Sequence, residues 1–223
     1  MKCFQFILVH VFVALIFSSC SGSDCEDISG ATYCKNYVSG YLMPEFVEQS
    51  DAEGAGGVGF TLKGRVINSG AAYDELAETY GDKSFNRYVV NGPRIAVTDG
   101  LLHVKVLTVR DFDALHPAGS DVSDLIDIHY ISFLDYVRSG YRAEPKDVEQ
   151  YSGMMTYYAV DGARLFSSAL QGVNQENSKL IAPEFLLKFN EKPSGDESGL
   201  FRLVIQTPDV SLETEFDYSF ATQ

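Results

Sequence analysis

An alternation near the end of the chain most constrains its fold. Between Val210 and Phe220, apolar or threonine positions alternate with polar ones, and most of the polar ones are acidic. Successive side chains of a β-strand point to opposite faces, so this pattern predicts a half-buried strand with an acidic outer face. Such charges discourage edge-to-edge pairing.

The same alternation recurs over Phe60–Ile67, Phe185–Phe189 and Phe201–Ile205, with turn-rich segments after each. Arg94–Thr98 and Leu101–Val109 are predicted to form a hairpin, because the Asp-Gly dipeptide between them suits a type I′ turn. Both faces of Leu101–Val109 carry apolar residues, which predicts a central strand.

Helical patterns are few. Tyr73, Leu76, Ala77 and Tyr80 have helical spacing, and Gly81 is a suitable residue to end the helix. For residues 124–141 the alternatives are one longer helix or, as we prefer, a strand followed by a helical turn that Gly140 stops. The expected fold is mainly β: a β-sandwich, Ig-like or related, with one or two short helices.

The N-terminal segment predicts export. Phe4 to Phe17 is apolar except for Gln5 and His10, and it is shorter than the roughly 20 residues of a membrane-spanning helix. No Ala-x-Ala-like cleavage site follows. Phe17-Ser18-Ser19-Cys20 instead resembles a bacterial lipobox, which implies cleavage before Cys20 and lipid attachment to it.

Two further stretches resemble those of Bacteroidota-type lipoproteins. The acidic leader after Cys20, Ser21 to Asp27, is similar to their surface-export signal, although Cys25 interrupts it. His116 to Leu125, followed by Ser139-Gly140-Tyr141, resembles an uncharacterised group of these proteins. Val122 and Ser123 stand where that group has Leu and Asn. The resemblance implies an outer-membrane lipoprotein of the cell envelope, with surface display favoured over the periplasmic face, and no known activity.

The cysteines fit an oxidising compartment. With Cys3 in the signal segment and Cys20 lipidated, Cys25 and Cys34 remain and are predicted to form a disulfide. The glycine-rich stretch from Ser50 to Gly59 predicts a linker. The expected organisation is therefore a signal peptide over 1–19, a tether over 20–57 and one β-sandwich domain over 58–223.

The charge balance limits the partners. Thirty-one acidic residues against 17 Lys and Arg give a net charge of −14, which disfavours nucleic acid. The expected partners are the membrane, through the anchor, and an unknown protein or glycan. The chain has no Trp to stack on sugars, and its middle carries a group of tyrosines: Tyr130, Tyr136, Tyr141, Tyr151, Tyr157 and Tyr158.

One group of acidic residues is a candidate for enzymatic chemistry. Five aspartates flank a Pro-Ala-Gly turn and are candidate Ca²⁺ ligands: Asp111, Asp113, Asp121, Asp124 and Asp127. The EF-hand pattern is missing, which favours a solvated loop and no cofactor. His103, His116 and His129 form no catalytic motif. The sequence thus predicts a non-enzymatic binding or structural protein, with a hydrolase using acidic residues, with or without Ca²⁺, as the alternative.

Overall fold

The computed structural model describes residues 31–50, 56–89, 94–142, 164–191 and 198–220. The strands are β1 (Thr32–Cys34), β2 (Gly40–Ser50), β3 (Val58–Ile67), β4 (Arg87–Val89), β5 (Ile95–Val97), β6 (His103–Thr108), β7 (Ile126–Ser132), β8 (Arg164–Ala169), β9 (Ile181–Phe189), β10 (Ser198–Gln206) and β11 (Ser211–Ser219). The helices are α1 (Gly70–Tyr80) and α2 (Leu134–Arg138), and 3-10 turns occupy Ser123–Leu125 and Leu170–Gly172.

The strands form three sheets. A six-stranded sheet has the order β5-β2-β3-β9-β7-β8, a three-stranded sheet has the order β11-β10-β6, and β1 pairs with β4 alone. All neighbouring strands are antiparallel except β2 and β5, which run parallel. The mainly-β prediction is confirmed.

Aromatic side chains fill the space between the two larger sheets. The Phe60 ring of β3 lies 5.0 Å from that of Phe216 on β11. Phe189 of β9 lies 4.7 Å from Phe201 on β10 and 4.6 Å from Tyr218 on β11. Rings at these separations pack favourably edge-to-face or tilted. The two sheets therefore face each other across one apolar core, as in a β-sandwich.

A second core covers the opposite face of the six-stranded sheet. Tyr41, Ile131 and Leu186 project from β2, β7 and β9 into a cluster with Tyr37 and Phe133, and residues of α1 and α2 complete it. Strands buried on both faces need apolar residues on both, which explains the nearly continuous burial of β7 and β9.

The prediction of a hairpin around Asp99-Gly100 is wrong. Asp99 and Gly100 do adopt positive φ values, 56° and 71°. The turn nevertheless carries the chain from one sheet to the other: β5 pairs with β2, whereas β6 pairs with β10. Positive φ values specify a tight turn but do not determine which strands pair. Here the burial of β5 and β6 in different sheets determined their partners.

The central position predicted for Leu101–Val109 is also wrong, because β6 lies at a sheet edge. The segment after the Pro-Ala-Gly turn covers that edge. The Val122 N–H donates to the Val106 carbonyl at 2.9 Å, and the Thr108 N–H donates to the Ser120 carbonyl at 2.9 Å. The other edge strand, β11, has the predicted burial alternation, with an exposed acidic face.

The predicted boundary at residue 58 is wrong too. The compact unit to which the described strands belong begins at Thr32. β2 lies inside the six-stranded sheet between β5 and β3, so residues 40–50 belong to the sandwich rather than to a tether. The glycine-rich stretch joins two paired strands, and glycine content alone does not distinguish a hairpin loop from a linker.

Both helix predictions are confirmed. α1 ends at Tyr80, and Gly81 has φ 75° and donates its N–H to a carbonyl of the last turn. Residues 126–132 form β7, α2 follows, and Gly140 has φ 67°.

A buried carboxylate joins α1 to the start of β2. Asp82 is fully buried, and its two carboxylate oxygens accept hydrogen bonds from the Tyr37 and Val38 N–H groups at 2.8 and 2.7 Å. The Tyr141 hydroxyl donates to it at 2.7 Å. Burial raises the pKa of Asp82, while these hydrogen bonds and the Arg94 guanidinium oppose the rise.

Replacing Asp82 by Ala is expected to lower the free energy of unfolding by about 3 kcal/mol or more, because three donors lose a buried acceptor. Tyr141→Phe removes one donor and is expected to cost about 1 kcal/mol. Chemical denaturation measures both. Asp74→Ala, at an exposed site on α1, is the control and is expected to stay within about 0.5 kcal/mol. Equal effects of Asp82→Ala and Asp74→Ala would contradict the structural role of Asp82.

Candidate functional site

An open groove of about 370 Å³ lies beside β2 and β3, at the turn that joins β10 to β11. Small-ligand sites have volumes of roughly 300–1,000 Å³, so the groove is large enough for a side chain or a small molecule. Its lining residues are Met43, Pro44, Glu45, Arg65, Thr98, Asp99, Thr207, Pro208, Asp209 and Val210. We call it the bulge groove.

A β-bulge shapes the first wall. Pro44 pairs with Gly64 and Phe46 pairs with Lys63, so Glu45 is an extra residue in β2. Bulges bend a strand and redirect its side chains. Gly64 is required here, because a Cβ on it would collide with the Met43 carbonyl oxygen and lie 2.8 Å from the Glu45 nitrogen.

The second wall is the turn at Asp99. The Asp99 N–H donates to the Tyr80 hydroxyl oxygen at 2.9 Å, and this contact fixes the turn to α1. The buried Thr98 hydroxyl donates to the Leu42 carbonyl at 3.2 Å, which fixes the turn to β2. A Cβ on Gly100 would lie 2.5 Å from the Gln175 carbonyl oxygen, so the close approach requires glycine.

The third wall is the turn between β10 and β11. The Thr207 hydroxyl donates to the Val210 carbonyl at 3.1 Å and accepts from the Asp209 and Val210 N–H groups at 3.3 and 3.1 Å. Pro208 and Asp209 are exposed at its tip. Strand pairing holds the first wall and side-chain hydrogen bonds hold the other two, so the groove is preformed.

The groove is acidic. Three carboxylates, from Glu45, Asp99 and Asp209, and the guanidinium of Arg65 line it, which gives a net charge of minus two. Within the part of the chain that the structure describes, none of these four side chains forms an ion pair. Arg65 Nη2 lies 2.9 Å from the Met43 sulfur. Met43, Pro44, Pro208 and Val210 add apolar surface, so the groove suits a ligand that combines a cationic group with an apolar part.

The five aspartates predicted as Ca²⁺ ligands do not converge. Among the described residues, no group of three or more His, Cys, Asp and Glu side chains is arranged to hold a metal ion. Asp111 accepts from the Ala118 N–H at 2.8 Å, and Asp121 accepts from the Ser123 hydroxyl and pairs with Lys105 at 3.4 Å. Burial opposes ionisation of Asp121, but the hydrogen bonds from Ser123 and Lys105 hold its pKa below the usual value. Asp124 lies in a 3-10 turn and Asp127 in β7.

Asp113 and His116 form the one pair with a catalytic appearance among the described residues. His116 Nδ1 lies 2.9 Å from Asp113 Oδ1, which also accepts from the Leu115 and His116 N–H groups at 2.7 and 2.8 Å. The hydrogen bond from His116 holds the pKa of Asp113 below its usual value. Among the described residues no hydroxyl or thiol is hydrogen-bonded to this imidazole, and the pair closes the turn between residues 113 and 116.

The remaining histidines and the central tyrosines lie elsewhere. His103 is exposed at the start of β6, whereas His129 is buried in β7, where burial lowers its pKa. Tyr130, Tyr136 and Tyr141 are buried in the cores. Tyr151, Tyr157 and Tyr158 lie outside the described residues.

The predicted modification sites lie at the start of the chain. Cys20 and Cys25 are outside the described residues. Cys34 is half-buried at the end of β1, and its sulfur lies 3.6 Å from the Thr32 carbonyl. Lipidation of Cys20 and the Cys25–Cys34 disulfide therefore stay predictions.

Sequence reasoning missed the bulge groove because its walls come from four separate stretches of chain. Two local signals mark it: Pro44 within a strand opposite Gly64, and Pro208 at the break between two alternating runs. It also missed two exposed tyrosines, Tyr33 and Tyr88, on β1 and β4.

Comparison with known protein families, with characterised proteins and with solved structures gives no match. Across the described ranges, neither helix has the length and apolar character needed to cross a membrane.

Gly64→Ala is expected to lower the free energy of unfolding by about 2–3 kcal/mol, because the added methyl group meets backbone atoms of the bulge. Gly172→Ala is the matched control, since a Cβ there meets nothing within 4 Å. Its effect is expected to stay below about 1 kcal/mol and to be stabilising if anything. Denaturant midpoints of the two variants test this difference, and an unchanged midpoint for Gly64→Ala would show that the bulge does not need glycine.

Proposed function

We propose that this chain is a lipid-anchored binding protein of the cell envelope, similar to the Bacteroidota-type outer-membrane lipoproteins, and that its β-sandwich binds a partner in the bulge groove. The observation that carries the binding role is the groove itself: preformed walls, apolar surface and three carboxylates without an ion-pair partner among the described residues. Buried ligand sites combine apolar surface with a few fixed polar groups in this way.

The anchor rests on the apolar run that ends at Ser18-Ser19-Cys20. The folded unit begins at Thr32, so eleven residues separate it from Cys20. A fully extended chain spans at most about 3.6 Å per residue, so this tether reaches no further than about 40 Å. A disulfide between Cys25 and Cys34 would shorten that reach. The protein would thus act close to the membrane surface.

The charge of the groove favours a cationic partner. Glu45, Asp99 and Asp209 would attract a Lys or Arg side chain, while Pro44 and Pro208 contact its aliphatic part. None of the described residues that line the groove is aromatic, so these residues offer no stacking surface of the kind that sugar rings use. A protein segment with a basic side chain therefore fits better than a glycan.

Cys20→Ala tests the anchor. The variant is expected to leave the membrane fraction and to change its electrophoretic mobility, because it has no site for lipid. Cys34→Ala keeps Cys20 and is expected to remain with the membrane, which makes it the control. A Cys20→Ala protein that stays in the membrane fraction with unchanged electrophoretic mobility would contradict the lipoprotein assignment.

Charge removal tests the groove. A fluorescent peptide of alternating Lys and Val is expected to bind the double variant Glu45→Gln/Asp209→Asn about tenfold more weakly than the unchanged protein, since each exposed pair contributes up to about 1 kcal/mol. Glu213→Gln removes one exposed carboxylate on β11, away from the groove, and should not alter the affinity. If Glu213→Gln weakens binding as much, the peptide responds to overall acidity and the groove is not its site.

A further inference from the structure

We propose that the ribbon formed by β1 and β4 rests on anionic headgroups of the bilayer that holds the Cys20 anchor. This inference depends on the proposed lipid anchor. We call residues 32–36 and 83–89 the tyrosine ribbon. It would fix the orientation of the domain on the membrane, which the anchor alone does not.

Two tyrosines give the ribbon its character. Tyr33 and Tyr88 are directly opposite each other in the strand pairing, and 52% and 71% of their surfaces are exposed. Their rings lie 5.4 Å apart in an edge-on arrangement. Tyrosine is enriched at membrane–water interfaces, because its ring is apolar and its hydroxyl bonds to the headgroup region. An adjacent exposed pair is therefore suited to a lipid surface.

The ribbon is basic in an acidic protein. Lys35, Lys83 and Arg87 are exposed within it, and residues 32–36 and 83–89 contain no Asp or Glu, although the net charge of the chain is −14. Two carboxylates lie nearby: Asp82, which is buried, and Glu78 of α1, which pairs with Lys83. Basic residues next to a membrane attachment point are attracted by anionic lipids.

Hydrogen bonds hold the ribbon in place. The Tyr33 hydroxyl donates to Asn86 at 2.9 Å, and the Asn86 N–H donates to the Lys35 carbonyl at 3.2 Å. The Arg87 guanidinium donates to the Tyr136 hydroxyl at 3.1 Å and to the Tyr141 carbonyl at 3.4 Å. The side chains of Tyr33 and Arg87 are thus arranged before any contact, which reduces the entropy lost on binding.

The position of the ribbon in the chain selects the membrane as its partner. β1 is the first strand after the tether, so the ribbon is the part of the fold that is covalently nearest to the lipid. Tethering raises the effective concentration of the two surfaces, and weak contacts then suffice. Anionic headgroups repel Asp24, Glu26 and Asp27 of the tether. The tyrosine ribbon is therefore the segment that contacts the headgroups.

The absence of tryptophan from the chain makes a direct test possible. Tyr88→Trp introduces a single tryptophan, which can be excited apart from the tyrosines, at an exposed site of the ribbon. Leu115→Trp places one at a loop residue that is 84% exposed, as the control. The lipidated full-length proteins are reconstituted in vesicles of phosphatidylcholine, with or without phosphatidylglycerol, that carry a headgroup-region quencher. The emission of the Tyr88→Trp protein is expected to shift to shorter wavelength and to be quenched in the anionic vesicles, whereas that of the Leu115→Trp protein is expected to do neither.

Charge reversal completes the experiment. Adding Lys35→Glu and Lys83→Glu to Tyr88→Trp is expected to abolish the shift and the quenching while the protein still floats with the vesicles. Flotation without quenching of Tyr88→Trp would overturn the ribbon contact and leave the anchor standing. Failure to float would overturn the anchor and this inference with it. Equal quenching in neutral and anionic vesicles, or quenching relieved by a soluble glycan or protein, would overturn the assignment to anionic headgroups.

Discussion

The buried carboxylate of Asp82 is the constraint on which the rest of the N-terminal half depends. A charged group without water needs several donors, and Asp82 obtains them from the Tyr37 and Val38 backbone and from the Tyr141 hydroxyl. Those donors lie before β2 and after α2, so one side chain ties distant segments to the end of α1. The tyrosine ribbon, which flanks this point on both sides, is thereby fixed to the sandwich.

Local pattern predicted the elements better than their arrangement. The alternation of β11 and the end of α1 at Gly81 each depend on residues within a single short segment. Both could therefore be predicted from the sequence. The partner of β6 depends on which sheet buries it, and the Asp99-Gly100 turn carries no information about that. The boundary at residue 58 failed for a related reason, since a glycine-rich stretch gives no sign that paired strands flank it.

The bulge groove could not be predicted from the sequence. Glu45, Arg65, Asp99 and Asp209 are ordinary surface residues when read along the chain, and only the bulge at Pro44 and the turn at Pro208 bring them together. The five aspartates drew attention because they are close in sequence. They separate in the fold because turns and ion pairs use their oxygens individually, for example with Ala118 and Lys105.

Under the proposed lipid anchor, the two edges of the three-stranded sheet would bear on how copies of the protein meet at the membrane. β11 presents Glu213, Glu215 and Asp217 to the outside, and residues 120–122 occupy the hydrogen-bonding groups of β6. Proteins that share a bilayer diffuse in two dimensions and collide often, so an open strand would invite copies to polymerise side by side. Under the proposed anchor, mutual repulsion at one edge and occupied backbone groups at the other would allow dense lateral crowding while each copy remains separate.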